Sequence, residues 1–182
     1  MDAPPRVALA IIGSLPAPPL TPLATAVLHV PAPERALVVN CGDGEAALFL
    51  AREFPAARIR GADPAEQNVR AASARVGLDP EGRVAFKRGS PRSLPYPNGF
   101  FDLVAQQDQG PAAAELARVL RPGGHLILTS SRLARALRRP RERLRLARLA
   151  RHGFVAVRAE RAGDGNFLVA RLETAVPAPR PD

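Results

Sequence analysis

Ala36-Leu37-Val38-Val39-Asn40-Cys41-Gly42-Asp43-Gly44-Glu45-Ala46-Ala47 is the stretch from which the fold is read. An apolar run of strand length ends in a glycine-rich turn, and a helical pattern (Ala47, Leu48, Leu50, Ala51) follows at once. Strand, turn and helix in that order put a ligand at the carboxyl end of a strand, against a helix N-terminus. Gly42 and Gly44 have no side chain to keep a ligand from the backbone. The same residues also suit a tight turn in an α/β protein that binds nothing there.

Outward from this stretch the pattern repeats. Pro55 closes the first helix, and residues 57–62 read as a second strand ending at Asp63. Asp63 is a candidate helix cap with Pro64 at the first helical position. Val69, Ala72 and Val76 give that helix its apolar stripe, and Gly77 stops it. Residues 83–87 form a third strand, the loop 89–97 and the turn Asn98-Gly99 come next, and 100–105 form a fourth. Pro111 opens a helix with Ala114, Leu116, Ala117 and Leu120 as its buried face. Pro122-Gly123-Gly124 makes a sharp turn into a fifth strand, 125–129. Residues 132–151 are helical on both sides of Pro140, with Leu144, Leu146, Ala147 and Leu149 apolar. Residues 154–160 and 166–173 alternate around Gly163-Asp164-Gly165 and form an antiparallel hairpin. Before the glycine turn, residues 22–30 form a short helix capped by Thr21 and ended by Pro31 and Pro33.

Strands alternating with helices give an α/β fold: a doubly wound, mostly parallel, seven-stranded, Rossmann-like sheet with a C-terminal antiparallel hairpin. Residues 1–33 read as a Pro-rich N-terminal segment with a short helix, 34–173 as the α/β domain, and 174–182 as a disordered tail.

Composition narrows the function. The 182 residues suffice for one sizeable core, and at 4% aromatics that core is aliphatic. Cys41 is the single cysteine, so there is no intramolecular disulfide, no cysteine metal spacing and no redox pair, and no metal is expected. A reducing cytoplasm is the expected compartment. The net charge of +9 suggests an anionic partner. Lys87 is the only lysine, however, and the arginines accompany many Ala and Pro, which reads as compositional bias. Aromatic platforms for single strands are also missing, which argues against nucleic acid. The apolar run 7–15 is short for a signal peptide, Pro16, Pro18, Pro19 and Pro22 interrupt the chain beyond it, and no segment is long enough to span a membrane.

Gly42-x-Gly44-x-x-Ala47 fits a dinucleotide fingerprint, with Asp63 about 20 residues on. An acid there accepts hydrogen bonds from ribose hydroxyls. Asp43 and Glu45 would repel the pyrophosphate of NAD beside the helix N-terminus. S-adenosylmethionine carries a sulfonium, an amine and a carboxylate, and tolerates acidic neighbours. The chain also has no room for the separate substrate domain of a dehydrogenase.

The run Leu37 to Gly44 resembles the first motif of the class I S-adenosylmethionine-dependent methyltransferases, V-L-D-x-G-C-G-x-G. Gly61-Ala62-Asp63-Pro64 resembles the second. The stretch from Ser93 to Val104 is similar to L-P-F-P-D-x-S-F-D-L-V, and that from Glu115 to Gly124 to E-x-x-R-V-L-K-P-G-G. Four motifs stand in order over about 36–130, and the closing hairpin suits the family's last two strands. The departures are Val38 for an acid, Asn40 for the first glycine and Ser90 for the Asp that meets the adenine amino group. Asn is the non-glycine residue that best tolerates positive φ, so the turn survives its substitution.

The resemblance implies that Asn40, Cys41, Gly42 and Gly44 lie under the methionine part, that Asp63 holds the ribose, and that Pro64 sits beside the adenine. It implies that Ser90 and Pro91 edge the adenine and that Gln106 lines the floor after the fourth strand. It implies a methyl transfer from S-adenosylmethionine to a small molecule; the alternative is a degenerate, non-catalytic binding or partner module. No catalytic base is singled out: Asp108, His29 and His125 are available, and each reads as structural or solvated. The Arg-rich helix 132–151 reads as a solvated face.

Overall fold

The computed structural model describes residues 20–77, 79, 81–107, 112–130 and 142–173. Its strands are β1 (Arg35–Val39), β2 (Arg58–Asp63), β3 (Val84–Arg88), β4 (Phe101–Gln107), β5 (Leu120–Ser130), β6 (Phe154–Ala162) and β7 (Gly165–Leu172). They form one sheet in the order β3-β2-β1-β4-β5-β7-β6. Strands β1 to β5 are mutually parallel, and β7 runs antiparallel between β5 and β6. The chain starts in the middle of the sheet, winds out to β3 and crosses back to β4. The winding therefore reverses between β1 and β4, where open α/β sheets take their ligands.

The helices are α1 (Thr21–Ala26, continued by a 3-10 turn, Val27–His29), α2 (Glu45–Glu53), α3 (Glu66–Val76), α4 (Ala113–Val119) and α5 (Glu142–Arg151). They cover both faces of the sheet. Because β1 is buried on both sides, its sequence is continuously apolar rather than alternating. Ala36 and Val38 join the cluster of Leu23, Leu50, Ile59 and Phe167. Leu37 and Val39 join Val104, Leu116, Leu126 and Leu149 on the other face.

Several local expectations are corrected. Leu20, not Thr21, is the N-cap of α1, and it makes no side-chain cap bond; the Thr21 carbonyl accepts from Thr25 Oγ1 at 2.9 Å. Pro64 does not open α3: Asp63 ends β2, Ala65 is the N-cap and the helix begins at Glu66. The turn Pro122-Gly123-Gly124 is a bulge inside β5, because Leu120 already pairs with Phe101 before His125 pairs with Leu103. On α4 the buried residues are Ala113, Leu116, Ala117 and Val119, and Ala114 is exposed. On α5 only Leu149 of the four expected apolar residues is buried, at 2%, while Leu144 and Leu146 are 47% and 44% exposed. Pro111, Asp108, residues 131–141 and the tail 174–182 lie outside the described residues. The hairpin is found as expected: Ala162 pairs with Gly165 around a two-residue turn whose first residue, Gly163, has φ 55°.

Candidate active site

Three of the five residues after β1 have positive φ: Asn40 at 55°, Gly42 at 54° and Gly44 at 88°. Asn40 thus holds the conformation that a glycine would, as its short polar side chain allows. The two glycines serve different ends. A Cβ on Gly42 would meet nothing within 4 Å. A Cβ on Gly44 would stand 2.9 Å from Ala72 Cβ and 3.0 Å from Phe86 Cζ. Only Gly42 leaves room for a ligand; Gly44 lets α3 and β3 close on the loop while it forms the N-cap of α2.

Asp63, 4% exposed, organises this edge. Its Oδ2 accepts from the Gly42 amide at 3.0 Å. Its Oδ1 accepts from the Ala65 amide at 2.9 Å and from Asn68 Nδ2 at 3.0 Å. One carboxylate therefore ties the glycine loop, the end of β2 and the start of α3 together. A carboxylate offers about four acceptor positions, so capacity remains for a ligand hydroxyl. Cys41 lies beneath, buried; burial first, then the Asp63 carboxylate, push its thiol up to about 12. It stays protonated and unreactive at neutral pH.

Asp43 is not a bare anion. It forms an ion pair with Arg75 of α3, and its Oδ1 accepts from the Glu45 amide at 3.4 Å. Beyond β2, Pro64 is exposed, and Ser90 and Pro91 are half-buried after β3. Gly89 donates to the Asp63 carbonyl at 3.1 Å, and Ser90 exchanges backbone bonds with Ser93 at 3.1 and 3.0 Å.

Gln106 completes the edge. It is 1% exposed near the end of β4, in register with Val39 of β1 and Leu128 of β5. Both atoms of its amide and the Nδ2 of Asn40 are buried with no hydrogen-bond partner among the described residues. Leaving such a group unpaired costs about 1–3 kcal/mol. Two amides at that cost, at the carboxyl ends of the adjacent strands β1 and β4 where the winding reverses, fit a polar ligand. All nine residues expected at the cofactor thus lie along the carboxyl ends of four adjacent strands, β3, β2, β1 and β4.

Of the candidate bases, His125 and His29 do not join them, and Asp108 lies outside the described residues. His125 stands in β5 opposite Leu103 and Arg171, several residues before the carboxyl end of the strand. Burial and the nearby Arg171 lower its pKa, which keeps it neutral. His29 stacks on Phe167, ring centroids 5.6 Å apart.

Three motif residues, Asp102, Glu115 and Arg118, have structural work that their sequence did not disclose. Asp102 Oδ2 accepts from the Glu34 and Arg35 amides, each at 2.8 Å, and fixes the start of β1 beside β4. Arg118 donates to both carboxylate oxygens of Glu115 at 2.9 and 2.7 Å, and to the carbonyls of Tyr96 and Leu94 at 2.8 and 3.1 Å. Glu115 in turn accepts from the Leu94 amide at 2.7 Å. This pair clamps the loop that leads from β3 to β4.

Residues 36–124 match a family model described as a methyltransferase domain. This stretch, just under half of the chain, is similar to the methyltransferase domains. The matched stretch runs from β1 to the glycine pair of the β5 bulge and contains all nine residues of the edge. Methyltransferase GfsG of Streptomyces halstedii is 36% identical over 111 residues, covering 56% of this chain and 39% of its own. The demethylmenaquinone methyltransferase of Thermus thermophilus is 38% identical over 105 residues, covering 53% of this chain and 47% of its own. The match thus spans less than half the length of either relative. Among solved structures, the [4+2]-cyclase SpnF superposes with a TM-score of 0.66 at 25% identity, covering 85% of this chain and 80% of its own.

A cavity of about 290 Å³ lies on the same sheet, under α5 and between β5, β7 and β6. Sequence reading did not find it, since it arises from the register of three strands and not from any one segment.

Proposed function

We propose that this chain is an S-adenosylmethionine-dependent methyltransferase acting on a small molecule in the cytoplasm. The observation that carries the reading is the pair of buried, unpartnered amides, Asn40 and Gln106, at the reversal of the sheet. Around them the donor set suits the cofactor. Asp63 has acceptor capacity left for ribose hydroxyls, and Gly42 leaves the loop backbone open. Pro64 and Pro91 would lie beside the flat adenine ring, with the Ser90 hydroxyl at its edge. Asn40, Cys41, Gly42 and Gly44 would hold the methionine end, and Gln106 would close the floor. When bound, S-adenosylmethionine supplies a methyl group already activated by its sulfonium. The protein then has only to orient an acceptor and exclude water, and needs no strong base. The relative named for demethylmenaquinone supports a small-molecule acceptor.

A second reading is a binding module that keeps the fold without turnover. Val38, 1% exposed, stands in an apolar cluster where the family carries an acid, and the neighbour SpnF is named for a cyclisation.

Thermal melts with S-adenosylmethionine, S-adenosylhomocysteine and NAD test the proposal. At a ligand concentration about 100 times Kd, binding adds about 2.7 kcal/mol. For a chain of this size that raises Tm by roughly 5–10 °C. A shift with both sulfur compounds and none with NAD is expected. No shift with either at millimolar concentration, or a shift with NAD alone, overturns the reading.

A further inference from the structure

The cavity under α5 is built in rows. Ser130, Asn166 and Arg161 are register partners across β5, β7 and β6. Two residues along each strand the same face returns, as Leu128, Leu168 and Ala159. Leu146 and Leu149 of α5 cover this apolar row. The slot therefore has an apolar floor and roof and a polar mouth, and its volume is near the lower end of small-molecule pockets, about 300–1,000 Å³. Arg161 brings a permanent cation to the mouth and Ser130 a hydroxyl donor. Glu160, a carboxylate that also lines the cavity, forms an ion pair with Arg158.

The apolar row does not end at β5. Leu128 is in register with Gln106, and Gln106 with Val39, the last residue of β1 before the glycine loop. Adjacent strands are about 4.8 Å apart. Gln106 therefore stands one strand from the slot and one strand from the loop, with its amide buried and unpartnered. It is the one polar residue in a row of five.

We propose that this slot takes the methyl acceptor, an apolar small molecule with an oxyanion head, with Gln106 at its inner end toward the glycine loop. The apolar body lies between Leu128, Leu168, Leu146 and Leu149. The head takes hydrogen bonds at the mouth from Ser130 and Arg161. This assignment rests on the methyltransferase reading above.

Calorimetric titration of the full chain with octanoate, and with octan-1-ol as the neutral probe, tests it. Wild type binds both. Leu146→Trp, a change at a half-exposed position that fills the slot, weakens both by about tenfold. Arg161→Gln weakens octanoate by about tenfold, as one lost charged hydrogen bond does, and leaves octan-1-ol unchanged. Both variants bind S-adenosylhomocysteine as wild type does. Octanoate binding that neither substitution changes, or no binding of either probe to wild type, overturns the slot and leaves the methyltransferase reading standing if S-adenosylhomocysteine still binds. Slot binding as described with no binding of S-adenosylhomocysteine to any variant overturns that reading, and with it the slot's role as the acceptor site.

Discussion

Asp63 shows how much one side chain can carry. A single carboxylate fixes the glycine loop through Gly42, the turn through Ala65 and the helix through Asn68. Asp63→Asn replaces one acceptor oxygen with a donor that faces either the Gly42 amide or the pair on α3. We expect a loss of about 1–3 kcal/mol in stability by urea unfolding, together with weaker binding of S-adenosylhomocysteine. A mere helix cap would lose almost nothing, because Asn caps as well as Asp. Gln106 makes the opposite prediction. Gln106→Leu removes an amide buried without a partner, so Tm should rise, by an amount equivalent to about 1 kcal/mol or more, while ligand affinity falls. A drop in Tm would mean that the amide is satisfied in the folded protein. Val38→Asp, which would restore the family's acid, inserts a carboxylate into the apolar cluster of Ile59, Leu103 and Ile127. It should destabilise the fold by several kcal/mol unless the acid is paired.

At the scale of elements, the Glu115–Arg118 pair joins α4 to the loop after β3. The hydrogen bonds from Arg118 hold the Glu115 carboxyl below its ordinary pKa. A lowered carboxylate pKa means that the pair contributes in full above the ordinary value of about 4.3 and loses that contribution as pH falls through the lowered one. Acid unfolding followed by circular dichroism should therefore be less steep in Glu115→Gln, whose stability at neutral pH is already reduced. Arg118→Lys keeps the charge but loses the fork, and should cost about 1.5–3 kcal/mol. Periodicity alone located the strands and most helices. It missed the start of α3 because Pro64 and Asp63 read as a cap, whereas Asp63 was already committed to the strand end and the loop. It found the buried face of α4 apart from Ala114 but misjudged that of α5, because which side is buried depends on the neighbouring strands and not on the apolar residues of the helix itself.

For the whole molecule, the order β3-β2-β1-β4-β5-β7-β6 brings distant segments to one edge. The residues of that edge were legible in the sequence through the family resemblance, and they come together because every parallel strand of this fold brings its carboxyl end to the same side. What the sequence did not disclose is how they divide the work. Gly42 opens the loop while Gly44 serves packing, a distinction that depends on Ala72 and Phe86. Nor did it disclose the slot under α5, whose rows come from three strands in register. The central claim is that the edge with the unpartnered amides binds the cofactor. The most direct test is the change in backbone amide chemical shifts of the isotopically labelled chain on titration with S-adenosylhomocysteine. The account predicts the largest changes at Asn40, Cys41, Gly42 and Gly44, with further changes at Asp63, Ser90 and Gln106. Changes confined to α5 and β6, or none at saturating ligand, would contradict it.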